Sequence, residues 1–174
     1  MNTIRRAAEM RLLHPTPLLL RSSQKEKPEG AITSMSPASR HAATIELCLE
    51  RVAERGDPTP RVYERLFQRH PEMKDLFVRD THDSVKGEML ARAFEALMDF
   101  VGERRYADHM IGTEMRTHEG YDVPREIFST FFAVVAEVIR EILGDEWTPA
   151  FAEAWDEVLA EIDSFAQRVP AIPA

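Results

Sequence analysis

Apolar residues recur along most of this chain with the spacing of helices that bury one face. From Val62 to Phe77 the sequence reads VYERLFQRHPEMKDLF, in which Tyr63, Leu66, Phe67 and His70 stand at i, i+3, i+4 and i+7. On a helix these positions share a stripe, so a phenol turns inward beside two large apolar groups. Pro71 predicts a short new helix, because its missing N–H would be unpaired in a first turn anyway, and that turn ends by delivering Leu76 and Phe77 to the interior. A longer helix follows, with Met89, Leu90, Phe94, Leu97, Met98 and Val101 forming one broad apolar face. Beyond it Met110, Ile111, Met115 and His118 recur at roughly helical spacing, so the imidazole ends an apolar stripe, and Gly120 stops the helix.

Punctuation completes the pattern. Thr59-Pro60 and Thr148-Pro149 each place a hydroxyl before a first-turn proline, and Gly144 closes the run Ile127, Phe131, Val135, Val138, Ile142. Strand-type alternation and hairpin signals are missing. The reading is all-α, with helices near 42–55, 60–70, 71–77, 84–102, 106–118, 125–143 and 149–167.

Composition divides the chain near residue 40. Met1 to Arg40 carries seven Lys or Arg against three Glu, whereas the remainder carries fifteen against twenty-seven, a balance of −12. The stretch LLHPTPLLL is too short and too interrupted for a signal or a membrane span. Residues 1–40 therefore read as a disordered extension, favoured over an organelle transit peptide, with Met35 as an alternative start, and 41–170 as one globular domain. The acidic domain disfavours nucleic acid and anionic membrane as partners. Cys48, the only cysteine, excludes an internal disulfide, fits a reducing, cytoplasmic setting, and faces the core in LCLERV. There is no Gly-rich phosphate loop, no HExxH and no paired-cysteine spacing; His70, His82 and His109 read as surface or helix-end residues.

Taken in order and spacing, Tyr63, PEMKDLF, Leu90 and His118 followed by Tyr121, Val123 and Pro124 resemble the globin family. The likeness is to bacterial single-domain globins and the haem domain of flavohaemoglobins. It runs from about Ala42 to Ala166, with Ala154-Trp155 in the last helix as a second landmark. It implies a three-on-three sandwich of about seven helices around haem b, with His118 as the proximal iron ligand. Tyr63, Phe77 and Leu90 would line the distal, gas-binding side, and Met115, Tyr121 and Val123 would help hold the cofactor. Lys86 stands where flavohaemoglobins have a distal glutamine, and is expected to reach a haem propionate or solvent rather than bound gas. Phe128 replaces that family's proximal tyrosine, and the last helix lacks its glutamate, so a weaker electronic push on the histidine is expected.

The resemblance implies reversible binding of O2, and of CO or NO, for storage, transport or scavenging. Two alternatives stand beside it. One is NO dioxygenation, which needs an external reductase because no flavin or NAD domain follows before Ala174. The other is a gas-sensing module. Oligomeric state is left open, a homodimer included.

Overall fold

The computed structural model describes Ile4 and residues 36–171. Six α-helices carry the fold: α1 Ala42–Arg55, α2 Thr59–Arg69, α3 Ser84–Val101, α4 Ala107–Glu119, α5 Arg125–Leu143 and α6 Pro149–Arg168. Short 3-10 turns occupy Ala38–His41, Pro71–Phe77 and Gly144–Glu146. No strand occurs among the described residues. The seven expected helices are all present, the Pro71–Phe77 segment as a 3-10 turn rather than an α-helix.

Helices α1, α3 and α4 pack in series as one layer, α2, α5 and α6 as the other, and α1 against α5 and α6 and α4 against α5 close the sandwich. Burial follows the period. In α1, Ile45, Cys48, Leu49 and Val52 are inside, as are Leu90, Phe94, Leu97 and Val101 of α3. Trp155 of α6 lies in the centre of the core, its Nε1–H donating to Cys48 Sγ at 3.4 Å. Burial outweighs that hydrogen bond and pushes the Cys48 thiol up to about 11, leaving it protonated and inert.

The helix starts depart from expectation in an instructive way. Thr148 caps α6 as predicted, accepting from Phe151 N–H at 3.2 Å. Thr59 does not cap α2. It lies inside the first turn and both its N–H and its hydroxyl donate to Asp57 Oδ1, at 3.0 and 2.7 Å. The same device starts two more helices: Asp80 accepts from Val85 and Lys86 N–H at the head of α3, and Asp99 from Tyr106 and Ala107 N–H at the head of α4. Each carboxylate satisfies amides that a helix leaves unpaired and sits at the positive end of its dipole. Gly120 ends α4 as expected but in the right-handed region, and the left-handed residue of that corner is Asp122, at φ 60°.

Arg125 ties three elements together. It pairs with Glu119 at the end of α4, and donates to the carbonyls of Val169 at 2.7 Å and Pro170 at 3.1 Å beyond α6.

At the other end, fixed packing begins slightly before the expected boundary. Ala38 is fully buried and its N–H donates to Glu161 Oε2 at 2.8 Å. Ile4 is helical and buried against the core; otherwise the disordered stretch read over 1–40, and Met35, fall outside the described residues up to 35. No helix among the described residues is long and apolar enough to cross a membrane.

Thr148→Ala is expected to cost about 1 kcal/mol of stability. Asp57→Ala should also lower the urea midpoint, a result that capping by Thr59 alone would not give.

Candidate functional site

Between the two layers lies a cavity of about 470 Å³, walled by α2 to α5 and by the Pro71–Phe77 turn. Its volume falls in the usual range for small-molecule and cofactor sites, and its lining is largely aromatic and aliphatic. Three sequence features build the walls. Tyr63 and Leu66 come from the inward stripe of α2, Met73, Leu76 and Phe77 from the turn opened by Pro71, and His118 from the end of the α4 stripe.

Two polar groups stand out in these walls. His118 Nδ1 lies 2.7 Å from the carbonyl oxygen of Glu114. A carbonyl only accepts, so Nδ1 carries the hydrogen; in the neutral ring this tautomer leaves the lone pair on Nε2, the form in which an imidazole ligates a metal. The ring is further held by an edge contact with Phe128, centroids 5.2 Å apart, and the Glu114 carboxylate lies 3.9 Å from Nδ1. Tyr63 is the second group. Its hydroxyl is buried with no hydrogen-bond partner among the described residues. Its ring packs against Phe67, Phe77 and Phe131 at 5.4 to 5.9 Å. Burial, and then the charge of Asp80, push its pKa far above the ordinary tyrosine value, so the phenol stays protonated and keeps a hydrogen to donate.

Five of the residues singled out from sequence meet at this cavity: Tyr63, Phe77, His118, Tyr121 and Val123. Tyr121 is 69% exposed and Leu76 52%, so these two border the mouth rather than the interior. Leu90, Met115 and Lys86 do not reach the wall. In α3 the cavity-facing positions are Val85, Met89, Ala93 and Ala96, while Leu90 lies on the adjoining stripe with Phe94 and Leu97 and is spent on the core. Met115 is likewise buried among core residues. Lys86, expected at a propionate or in solvent, is turned aside to Asp83 Oδ1 at 2.7 Å and Asp80 Oδ2 at 3.6 Å. Sequence reading had passed over Val85 and Ala93, and over Phe128 and Phe131 as wall residues; the i, i+4, i+8 spacing of Val85, Met89 and Ala93 was the available signal. His82 and His109 are exposed and His70 half-buried at a helix end, as read.

Among the described residues no three His, Cys, Asp or Glu converge on a metal position. One imidazole with a free Nε2 in an apolar slot therefore suits a metal that arrives with a macrocycle of its own. The residues present fit a haem: one nitrogen donor, flat aromatic walls, a stranded hydroxyl, and Arg92 as the single cation of the lining.

Comparison with known proteins agrees. The globin family model matches residues 60–165. A protein of Aquifex aeolicus (strain VF5), described as an uncharacterized globin-like protein, is 31% identical over 100 residues, covering 56% of this chain and 70% of that protein. No solved structure matches the chain. The chain belongs to the globin family, the two-layer helical fold of haem proteins that its helix order already displays.

Asp80 gives the site a pH signature. Desolvation opposes ionisation, but the N–H groups of Lys86 and Val85, the Ser84 hydroxyl and the Lys86 charge together hold its carboxyl below the ordinary value of 3.8. A depressed carboxylate contributes stability above its unfolded-state pKa and loses it as pH falls through the folded-state value. The stability advantage of the native chain over Asp80→Asn is therefore expected to be full at pH 7 and to shrink as pH drops below about 4, read from urea midpoints.

Proposed function

We propose that the cavity holds a haem through His118 and that the protein reversibly binds O2, with CO and NO as competing ligands. The observation that carries this reading is that one apolar cavity is lined both by His118, whose Nδ1 is held by a carbonyl, and by Tyr63, whose buried hydroxyl has no partner among the described residues. When bound, the haem supplies an iron with one position for His118 and one for a diatomic gas.

The chain's own residues do the rest. The Glu114 carbonyl fixes the His118 tautomer and keeps the ring from rotating. Phe128 stands edge-on to that ring, and a neutral phenyl neither withdraws nor adds a proton at Nδ1. Phe77, Met89, Ala93 and Phe131 present apolar surface that excludes water from the gas-binding side. The Tyr63 hydroxyl donates to the gas, a contact for which it gives up no existing partner. Arg92, exposed and among the lining residues, supplies the positive charge for an acidic edge of the cofactor.

The test begins with absorption spectra of protein purified with haem supplied. A Soret band that shifts on reduction and again with CO is expected, and His118→Ala should lose it; a normal five-coordinate ferrous spectrum in that variant would overturn the assignment. Tyr63→Phe should release O2 about ten- to a hundredfold faster, the equivalent of a buried charge-assisted hydrogen bond of roughly 1.5–3 kcal/mol. The same variant should leave the haem-free chain at least as stable as the native one in urea, since a stranded polar atom is removed.

A further inference from the structure

The Lys86 ammonium lies against the wall of the site without belonging to it. Its side chain is only 12% exposed, and Nζ sits 5.6 Å from the centroid of the Phe77 ring while bound to Asp83 at 2.7 Å and facing Asp80 at 3.6 Å. Asp80 is itself fixed, with a side chain 3% exposed that accepts from the N–H groups of Val85 and Lys86 and from the Ser84 hydroxyl. The Asp83 hydrogen bond, against some desolvation, holds the lysine above its ordinary pKa, so the charge is permanent at neutral pH. A cation pinned by two carboxylates over an aromatic face is attracted to that face and resists its rotation.

Phe77 passes the constraint inward. Its ring meets Tyr63 at 5.4 Å and 65°, edge-on, with Phe67 closing the triangle at 5.5 Å from Phe77 and 5.9 Å from Tyr63. Tyr63 has no hydrogen bond among the described residues to set where its hydroxyl points. Its direction is decided by ring packing, and the ring in that triangle held by charge from outside is Phe77.

We infer that Lys86 is a positioning residue: clamped by Asp80 and Asp83, it locks the Phe77 ring and through it the aim of the Tyr63 hydroxyl into the cavity. The effect on gas release rests on the function proposed above; the effect on the rings does not.

The test uses the full chain with labelled aromatic side chains, followed by NMR with and without haem supplied. Lys86→Met keeps the stem and removes the charge, and is expected to shift the Phe77 and Tyr63 ring resonances. Lys86→Arg should restore them, and Asp83→Asn, at an exposed position, should move them part of the way in the same direction as Lys86→Met. Unmoved rings in Lys86→Met and Asp83→Asn would overturn the inference. In haem-loaded protein, Lys86→Met should release O2 about two- to fivefold faster when Tyr63 is present and not at all faster in a Tyr63→Phe background. Equal acceleration in both backgrounds would show that the lysine does not act through the hydroxyl, and would sink the coupling. If Tyr63→Phe alone releases gas at the native rate, the donor role proposed above fails, while the ring resonances still decide the case for Lys86.

Discussion

A helical bundle that keeps about 470 Å³ open between its layers has to stop its helices from sliding into that space. Packing cannot do this at the cavity itself, because the walls there have no facing side chains. The restraint comes from the helix ends. Upstream aspartates fix the first turns of α2, α3 and α4, and all three of these helices border the cavity. Elsewhere the Trp155 indole fills the centre of the core against Cys48, which anchors α1 to α6 well away from the opening. The cavity is thus a region of low packing framed by elements held at their termini, and its wall residues touch one another along the walls but not across the opening.

Polarity is distributed in the same economical way. Most charges pair on the surface, as Arg65 and Arg69 do with Glu137 and Glu141, where ion pairs contribute little to stability. Inside, only a few polar atoms are admitted, and each is accounted for differently. Asp80 is satisfied by backbone amides, the His118 imidazole by one carbonyl, and the Tyr63 hydroxyl by nothing among the described residues. An unpaired buried hydroxyl costs roughly 1–3 kcal/mol, which is why the donor role proposed for Tyr63 would remove a penalty rather than break a bond. Tyr63 and His118, the tyrosine and histidine to which the family resemblance gives roles, are also the residues whose hydrogen bonding stands apart in the cavity lining.

Much of this is legible in the sequence, and what is not has two physical causes. The spans of α1 and α5 match the apolar period residue for residue, and Tyr63 and His118 stand out because a polar ring ends an otherwise apolar stripe. Helix α3 is different. Met89 and Leu90, Ala93 and Phe94, Ala96 and Leu97 form two adjacent apolar stripes, and periodicity cannot say which faces a cavity and which a neighbouring helix. Leu90, expected on the distal side from the family resemblance, lies on the stripe that faces the core, and Lys86, expected at a propionate or in solvent, is paired with Asp83 and Asp80. The aspartate caps were missed because their carboxylates come from two to eight residues upstream, where the loop path and not the local sequence decides whether they can reach. Turn chemistry that acts within the cap position, as at Thr148, was read correctly.

The Arg125 strap gives the histidine a mechanical setting. Glu119 follows His118 directly, and the guanidinium that holds it also grips the chain just past α6. His118 therefore rides on a stiff mount: it cannot shift along its helix without pulling on the start of α5 and on the carbonyls of Val169 and Pro170. One guanidinium thus joins the residue that follows His118 to the chain just past the last helix, two places far apart in sequence.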